Sequence, residues 1–164
     1  MTSIDTHPDA QAQFLRILNH ENEQAQQLLD LLEQEFQLLK SSPGKSLEAL
    51  LTRKKQQLKS VEQSVSAHRQ FLNQQGLSND RRGTESFLEA CRGNTALSTT
   101  WQRHLNLLQA CQKQNEINGG TVAANQRQVN QALNLLLGLS DNNKTYGRGG
   151  ESRPSRPSKT LGKA

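Results

Sequence analysis

The sequence has little of what a compact enzyme is usually built from. Aromatic residues make up 4% of the 164 positions, with one Trp, one Tyr and four Phe, and hydrophobic residues only 32%. So thin a supply of bulky side chains excludes a thick globular core and suits a helical bundle whose apolar residues lie along narrow seams. The length allows one domain with a real core and is short for two. Cys91 and Cys111 are the only cysteines and show no Cys-x-x-Cys or zinc spacing, which excludes a disulfide framework and a cysteine zinc site. No apolar run approaches the ~20 residues needed to cross a bilayer. The opening Met-Thr-Ser-Ile-Asp-Thr-His-Pro carries no apolar signal core. The expectation is a soluble cytoplasmic protein with both thiols reduced and no membrane insertion.

Catalytic constellations are missing as well. His7, His20, His68 and His104 are scattered, with no His-x-x-x-His or His-Glu-x-x-His pair to place two ligands on one helix face. Gly119-Gly120 and Gly147-Arg148-Gly149-Gly150 lack the preceding strand and lysine of a phosphate loop. The sequence therefore speaks against an enzyme and implies no cofactor and no metal. The formal charge of +5 suggests nucleic acid until its location is considered. Residues 141–164 hold six basic side chains against Asp141 and Glu151, a net +4 that leaves +1 for the preceding 140 residues. A nearly neutral body with interspersed charges is a solvated surface and not a phosphate-binding face.

What is present is a regular leucine pattern. Phe14, Leu18, Glu21, Ala25, Leu28, Leu32, Glu35 and Leu39 follow one another in alternating steps of four and three, the seam of a packed helix. Leu15, Ile17, Leu29, Leu31, Phe36 and Leu38 widen that stripe, so the first helix should touch more than one neighbour. Ser41-Ser42-Pro43-Gly44 ends it. With Ser46 as a plausible N-cap, the same spacing restarts through Leu47, Leu51, Lys54, Leu58, Val61, Val65, His68 and Leu72. A short turn between two like helices predicts an antiparallel pair. Lys54 is expected to snorkel, its stem packed and its ammonium in water. His68 is expected to be a bundle-edge histidine, hydrogen-bonded or wet. A polar loop from Gly76 to Gly83 precedes a short connecting helix, capped by Thr84 and stopped at Gly93-Asn94.

The last helical segment, Leu97 to Leu137, continues the pattern through Trp101, His104, Leu108, Cys111, Asn115, Asn118, Val122, Asn125, Val129, Ala132 and Leu136. Gly119 and Gly120 each cost roughly 1 kcal/mol against Ala inside a helix. The register nevertheless runs through them, which favours one long, kinked helix over a hairpin at Asn118. The fold expected is all-α, a bundle of long antiparallel amphipathic helices over 9–139 with a short connecting helix. A disordered basic tail, 140–164, follows, too poor in apolar groups to offset the entropy of ordering it.

Broad apolar stripes can receive an amphipathic helix, and flexible tails with one aromatic can dock as short motifs. The Gln114-Asn115-Glu116-Ile117-Asn118-Gly119-Gly120-Thr121-Val122 stretch, followed by Thr145-Tyr146-Gly147-Arg148-Gly149-Gly150, resembles the FlgN family of flagellar export chaperones in order and separation of features. Two departures stand out. Gly149 replaces a frequent acidic residue, and Gly120, Thr121 and Val122 replace an apolar pair. The resemblance implies a cytoplasmic chaperone that binds the terminal helices of the hook-filament junction proteins FlgK and FlgL and delivers them to the export gate. It implies family-motif roles for Asn115, Asn118 and Gly119, a substrate-binding surface in the carboxyl half, and Tyr146, with Gly147 and Gly150, as the gate-docking element. Within that half, Val122, Val129, Leu133, Leu136 and Leu137 form the candidate groove. Two other readings stay open: a coiled-coil homodimeric adaptor, and a nucleic-acid or lipid binder acting through its basic tail. Monomer and homodimer are both compatible with the sequence.

Overall fold

The computed structural model describes residues 3–41, 44–119 and 123–139, with the backbone alone for 123–126. The expected disordered tail and its domain boundary, as well as Val122, Tyr146, Gly147 and Gly150, lie outside the described residues. Among those residues there are five helices and no strand: α1 (Pro8–Lys40), α2 (Gly44–Gln74), α3 (Arg81–Ala90), α4 (Thr95–Asn118) and α5 (Ala123–Leu136). The all-α bundle read from the leucine spacing is the architecture found.

α1 starts where local chemistry dictates. Pro8 occupies the first turn, where its missing N–H has no helical partner to lose, and His7 caps the helix by accepting from the Asp9 N–H. Its stripe is buried from Phe14 through Leu18, Glu21, Ala25, Leu28 and Leu32 to Glu35. α1 packs against both α2 and α4, as its broad stripe predicts. The α1–α2 pair is antiparallel, with Phe14 stacked on Phe71 near one end and Glu35 bonded to Lys54 near the other. α4 runs parallel to α1: Asn94 reaches Gln11, His104 reaches Asn22, Cys111 reaches the Ala25 carbonyl and Asn118 the Leu32 carbonyl.

The continuous helix from Leu97 to Leu137 is not what forms. α4 ends at Asn118 with Gly119 as its C-cap, and α5 returns antiparallel to it. Asn115 bonds Asn130 and His104 bonds the Leu136 carbonyl, a pairing only a reversal permits. The physical reason is burial. Reversal seats Val129, Ala132, Leu133 and Leu136 against α2 and α4 in one core with Leu28, Leu32, Val61, Val65 and Leu108. A straight helix would leave that stripe in water and keep two helix-breaking glycines inside it. The unbroken phase reflects two helices each burying its own stripe.

α5 flanks α2 and α4 only over the half of the bundle that this core fills. The other half has a second core of Phe14, Leu18, Phe71, Leu72, Phe87, Cys91 and Leu97, to which α3 contributes Phe87. α5 ends where α3 begins: the Arg81 N–H donates to the Gly138 carbonyl at 3.3 Å. The fourth side of the bundle is thus assembled from two helices distant in sequence, placed end to end. A helix carboxyl terminus meets a helix amino terminus, a favourable dipole arrangement.

Three local expectations are corrected. α3 begins at Arg81 inside the expected loop, capped by Asp80, whose carboxylate accepts from the Gly83 N–H at 3.1 Å, and Thr84 lies one turn in. Asp80 wins because a carboxylate three residues before an amide in the first turn is a strong cap. α2 begins at Gly44, with positive φ, so Ser46 lies within the helix. Lys54 does not snorkel: it is buried, its ammonium 2.7 Å from Glu35 Oε1. Glu35 lies on the facing seam and Asn118 bonds its other oxygen at 3.0 Å, so the charge has partners inside that it would otherwise find in water.

Candidate functional site

The candidate groove residues lie on α5, and their apolar face is turned inward. Val129, Leu133 and Leu136 are buried in the core shared with α1, α2 and α4, and Leu137 is half-buried against it. Asn115 and Asn118 are buried on the α4 seam, the first bonded to Asn130, the second to the Leu32 carbonyl and Glu35. Gly119, the third motif residue, caps α4 in extended backbone that other residues also adopt. The structure therefore brings the α5 residues and Asn115 together along one α4–α5 interface and places Asn118 with the buried Lys54–Glu35 pair at its end.

Beneath the far end of α5 runs a layer of buried polar side chains that sequence spacing did not reveal. Glu21 and Asn22 enter from α1, His68 from α2, Thr84 from α3 and His104 from α4, while α5 supplies the Leu136 carbonyl. His68 is not at the bundle edge. Its Nδ1 lies 2.9 Å from Glu21 Oε2 and its Nε2 2.9 Å from Thr84 Oγ1, all three residues being buried. Phe14 meets the His68 ring edge-on. The hydroxyl, imidazole and carboxylate line up as a nucleophile, base and acid would. The hydroxyl faces inward, and the adjoining cavity of about 10 Å³ has room for one water at most. The set joins three helices and gives no access to a substrate.

His104 is fully buried and stacks on Trp101. Asn22 Nδ2 donates to the Thr100 carbonyl, which turns its Oδ1 to within 2.8 Å of His104 Nδ1. His104 Nε2 lies 3.1 Å from the Leu136 carbonyl. Burial pushes the imidazole below its ordinary value, opposed by the Glu21 charge and the Leu136 hydrogen bond. Both ring nitrogens thus face acceptors, the Asn22 Oδ1 and the Leu136 carbonyl, and the neutral ring donates to one of them at a time, tying α4 to α1 or to the last turn of α5. Next to it, Gly138 has φ +74, and a Cβ there would come within 2.6 Å of the Arg81 nitrogen. Glycine alone lets α5 close against α3.

The signals for these residues were faint but present. A glycine just past the last apolar position is a helix-ending signal, and His104 stood on the seam; their partners lie 57 and 82 residues away in sequence. Cys111, also on the seam, donates to the Ala25 carbonyl, and burial pushes its thiol up to about 12. Cys91 is free and buried too. Among the described residues no helix is long and apolar enough to cross a membrane, and no group of three or more His, Cys, Asp or Glu is disposed to hold a metal ion.

The FlgN protein family model matches residues 9–154, spanning all five helices and continuing into the carboxyl-terminal segment. A crystal structure of a flagella synthesis protein FlgN from Pseudomonas aeruginosa superposes with a TM-score of 0.60 at 29% identity, covering 75% of this chain and 94% of that one. No curated protein matches. With most of its length inside the family model and the same helical fold in a solved relative, the chain belongs to the FlgN family of flagellar export chaperones.

Proposed function

We propose that this protein is a cytoplasmic chaperone for the hook-filament junction proteins FlgK and FlgL, binding an amphipathic terminal helix of each and delivering it to the flagellar export gate. Such helices pack only after assembly, so before export their apolar faces are aggregation hazards that a chaperone can cover. The observation that carries the reading is α5. It is a 14-residue amphipathic helix seated in an apolar trough and bound there by its stripe and a few hydrogen bonds, with no ion pair to the bundle among the described residues. Client engagement is assigned to this place in the fold, the interface that contains Val129, Leu133, Leu136 and Leu137, with Val122 at its sequence margin. Tyr146, with Gly147 and Gly150, is assigned to gate docking.

Size-exclusion chromatography with light scattering, on the protein alone and mixed with FlgK or FlgL, tests this. A discrete complex is expected, lost when the partner's carboxyl-terminal helix is removed. A stable homodimer that forms no complex with either partner would replace the chaperone reading with that of a coiled-coil adaptor.

A further inference from the structure

The candidate client-binding residues are the ones α5 spends on its own docking, so α5 and a client cannot both use the interface. We infer that the docking site is the trough under α5, and that α5 is a built-in stand-in which an amphipathic client helix replaces. The inference rests on the proposed function for the identity of the client and on the geometry for the rest.

The trough has a floor and an end. Leu28, Leu32, Val61, Val65, Leu108 and Cys111 make an aliphatic floor. α5 fills it with Val129, Ala132, Leu133 and Leu136, which defines the fitting pattern as aliphatic at i, i+4 and i+7 and small at i+3. At the closed end, the Leu136 carbonyl lies 3.1 Å from His104 Nε2 and the Arg81 N–H donates to the Gly138 carbonyl at 3.3 Å. That end selects a segment which stops being helical there. Toward the other end, beside Gln128, lies a hollow of about 250 Å³ lined by Leu51, Lys54, Lys55 and Leu58.

Replacement is feasible because the rest of the bundle does not depend on α5 for its second core. Phe14, Phe71, Phe87, Cys91 and Leu97 are packed by α1, α2, α3 and α4. An isolated helix of 14 residues is marginal in water, so α5 keeps its form by occupying the trough, and a longer helix with the same pattern competes with it directly.

Leu133→Asp in the full chain places a carboxylate on the buried face of α5 and leaves the floor unchanged. Calorimetry would compare wild type and this variant, using as probes a synthetic peptide of residues 123–139 and the carboxyl-terminal segments of FlgK and FlgL. With the competing helix released, the variant should bind the peptide and the junction segments at least about tenfold more tightly than wild type. If wild type binds the junction segments and Leu133→Asp loses them, the contact lies on α5 itself and the inference is wrong. A folded variant that fails to take up the peptide also overturns it. A doubled mass with peptide binding suppressed would make a second copy's α5 the occupant, against the inference. Peptide binding without any FlgK or FlgL binding keeps the trough and removes the proposed client, which separates the two failures. Should Leu133→Asp not fold, Gly138→Ala, which disturbs only the end contact, must shift peptide binding in the same direction.

Discussion

Arg81 and Gly138 meet backbone to backbone, the amide of one donating to the carbonyl of the other at 3.3 Å across 57 residues of sequence. That bond joins two short helices into one side of a four-helix bundle. Gly138 combines a left-handed φ with no space for a Cβ. Gly138→Ala should therefore destabilise the protein by about 1–3 kcal/mol. The loss should appear as a lower urea midpoint and faster amide exchange confined to α5, with α1 amides little changed. Uniformly faster exchange would mean that α5 opens only with the whole bundle.

Lys54 is the second test. Its ammonium and the Glu35 carboxylate are buried together, and Asn118 binds the second carboxylate oxygen. Lys54→Met leaves the carboxylate without its counter-charge and should cost about 3–5 kcal/mol. The Lys54→Met, Glu35→Leu double variant should recover most of that, because the charge to be compensated is gone. Urea unfolding of both variants decides it: equal losses in single and double variant would show that packing, not charge, sets the cost.

The same residues mark where sequence reading succeeds and fails. The four-three spacing of α1 and α2 named seam residues that are buried, from Phe14 to Glu35 and from Lys54 to Leu72, because helix period and burial are local consequences of the chain. Spacing reported that Lys54 faces inward but not that Glu35 and Asn118 wait there, since those partners lie 19 residues away from Lys54 and 83 away from Glu35. The reversal at Asn118 was hidden for a related reason. A stripe in phase on both sides of Gly119 is equally compatible with one helix or two, and only the apolar surface offered by α2 decides between them. Of the candidate site, the apolar identity of Val129, Leu133 and Leu136 was legible, while their burial in the bundle was not.

The pH dependence of stability follows from His104. Burial holds its folded-state value below the ordinary 6.5. The unfolded chain then takes up the proton more readily, so stability is complete above about 6.5 and declines as the pH falls below it. Urea midpoints at pH 7.5 and 5.5 should differ in wild type and differ less in His104→Gln, which cannot titrate. An unchanged difference in that variant would assign the effect to another group.

Tyr146 separates binding from delivery. In sequence it follows α5, within the segment that the family model also matches. In the proposed division of labour Tyr146 engages the export gate and takes no part in client binding. Tyr146→Ala should therefore leave the Kd for FlgK and FlgL within about twofold of wild type, as a substitution outside the interface does, while reducing secretion of both in a complemented strain. Calorimetry on the purified variant and immunoblots of culture supernatant give the two readouts. Reduced client affinity would place Tyr146 in the binding interface, which would then extend past α5 into the carboxyl-terminal segment. Normal affinity with normal secretion would leave gate recognition to the helical body.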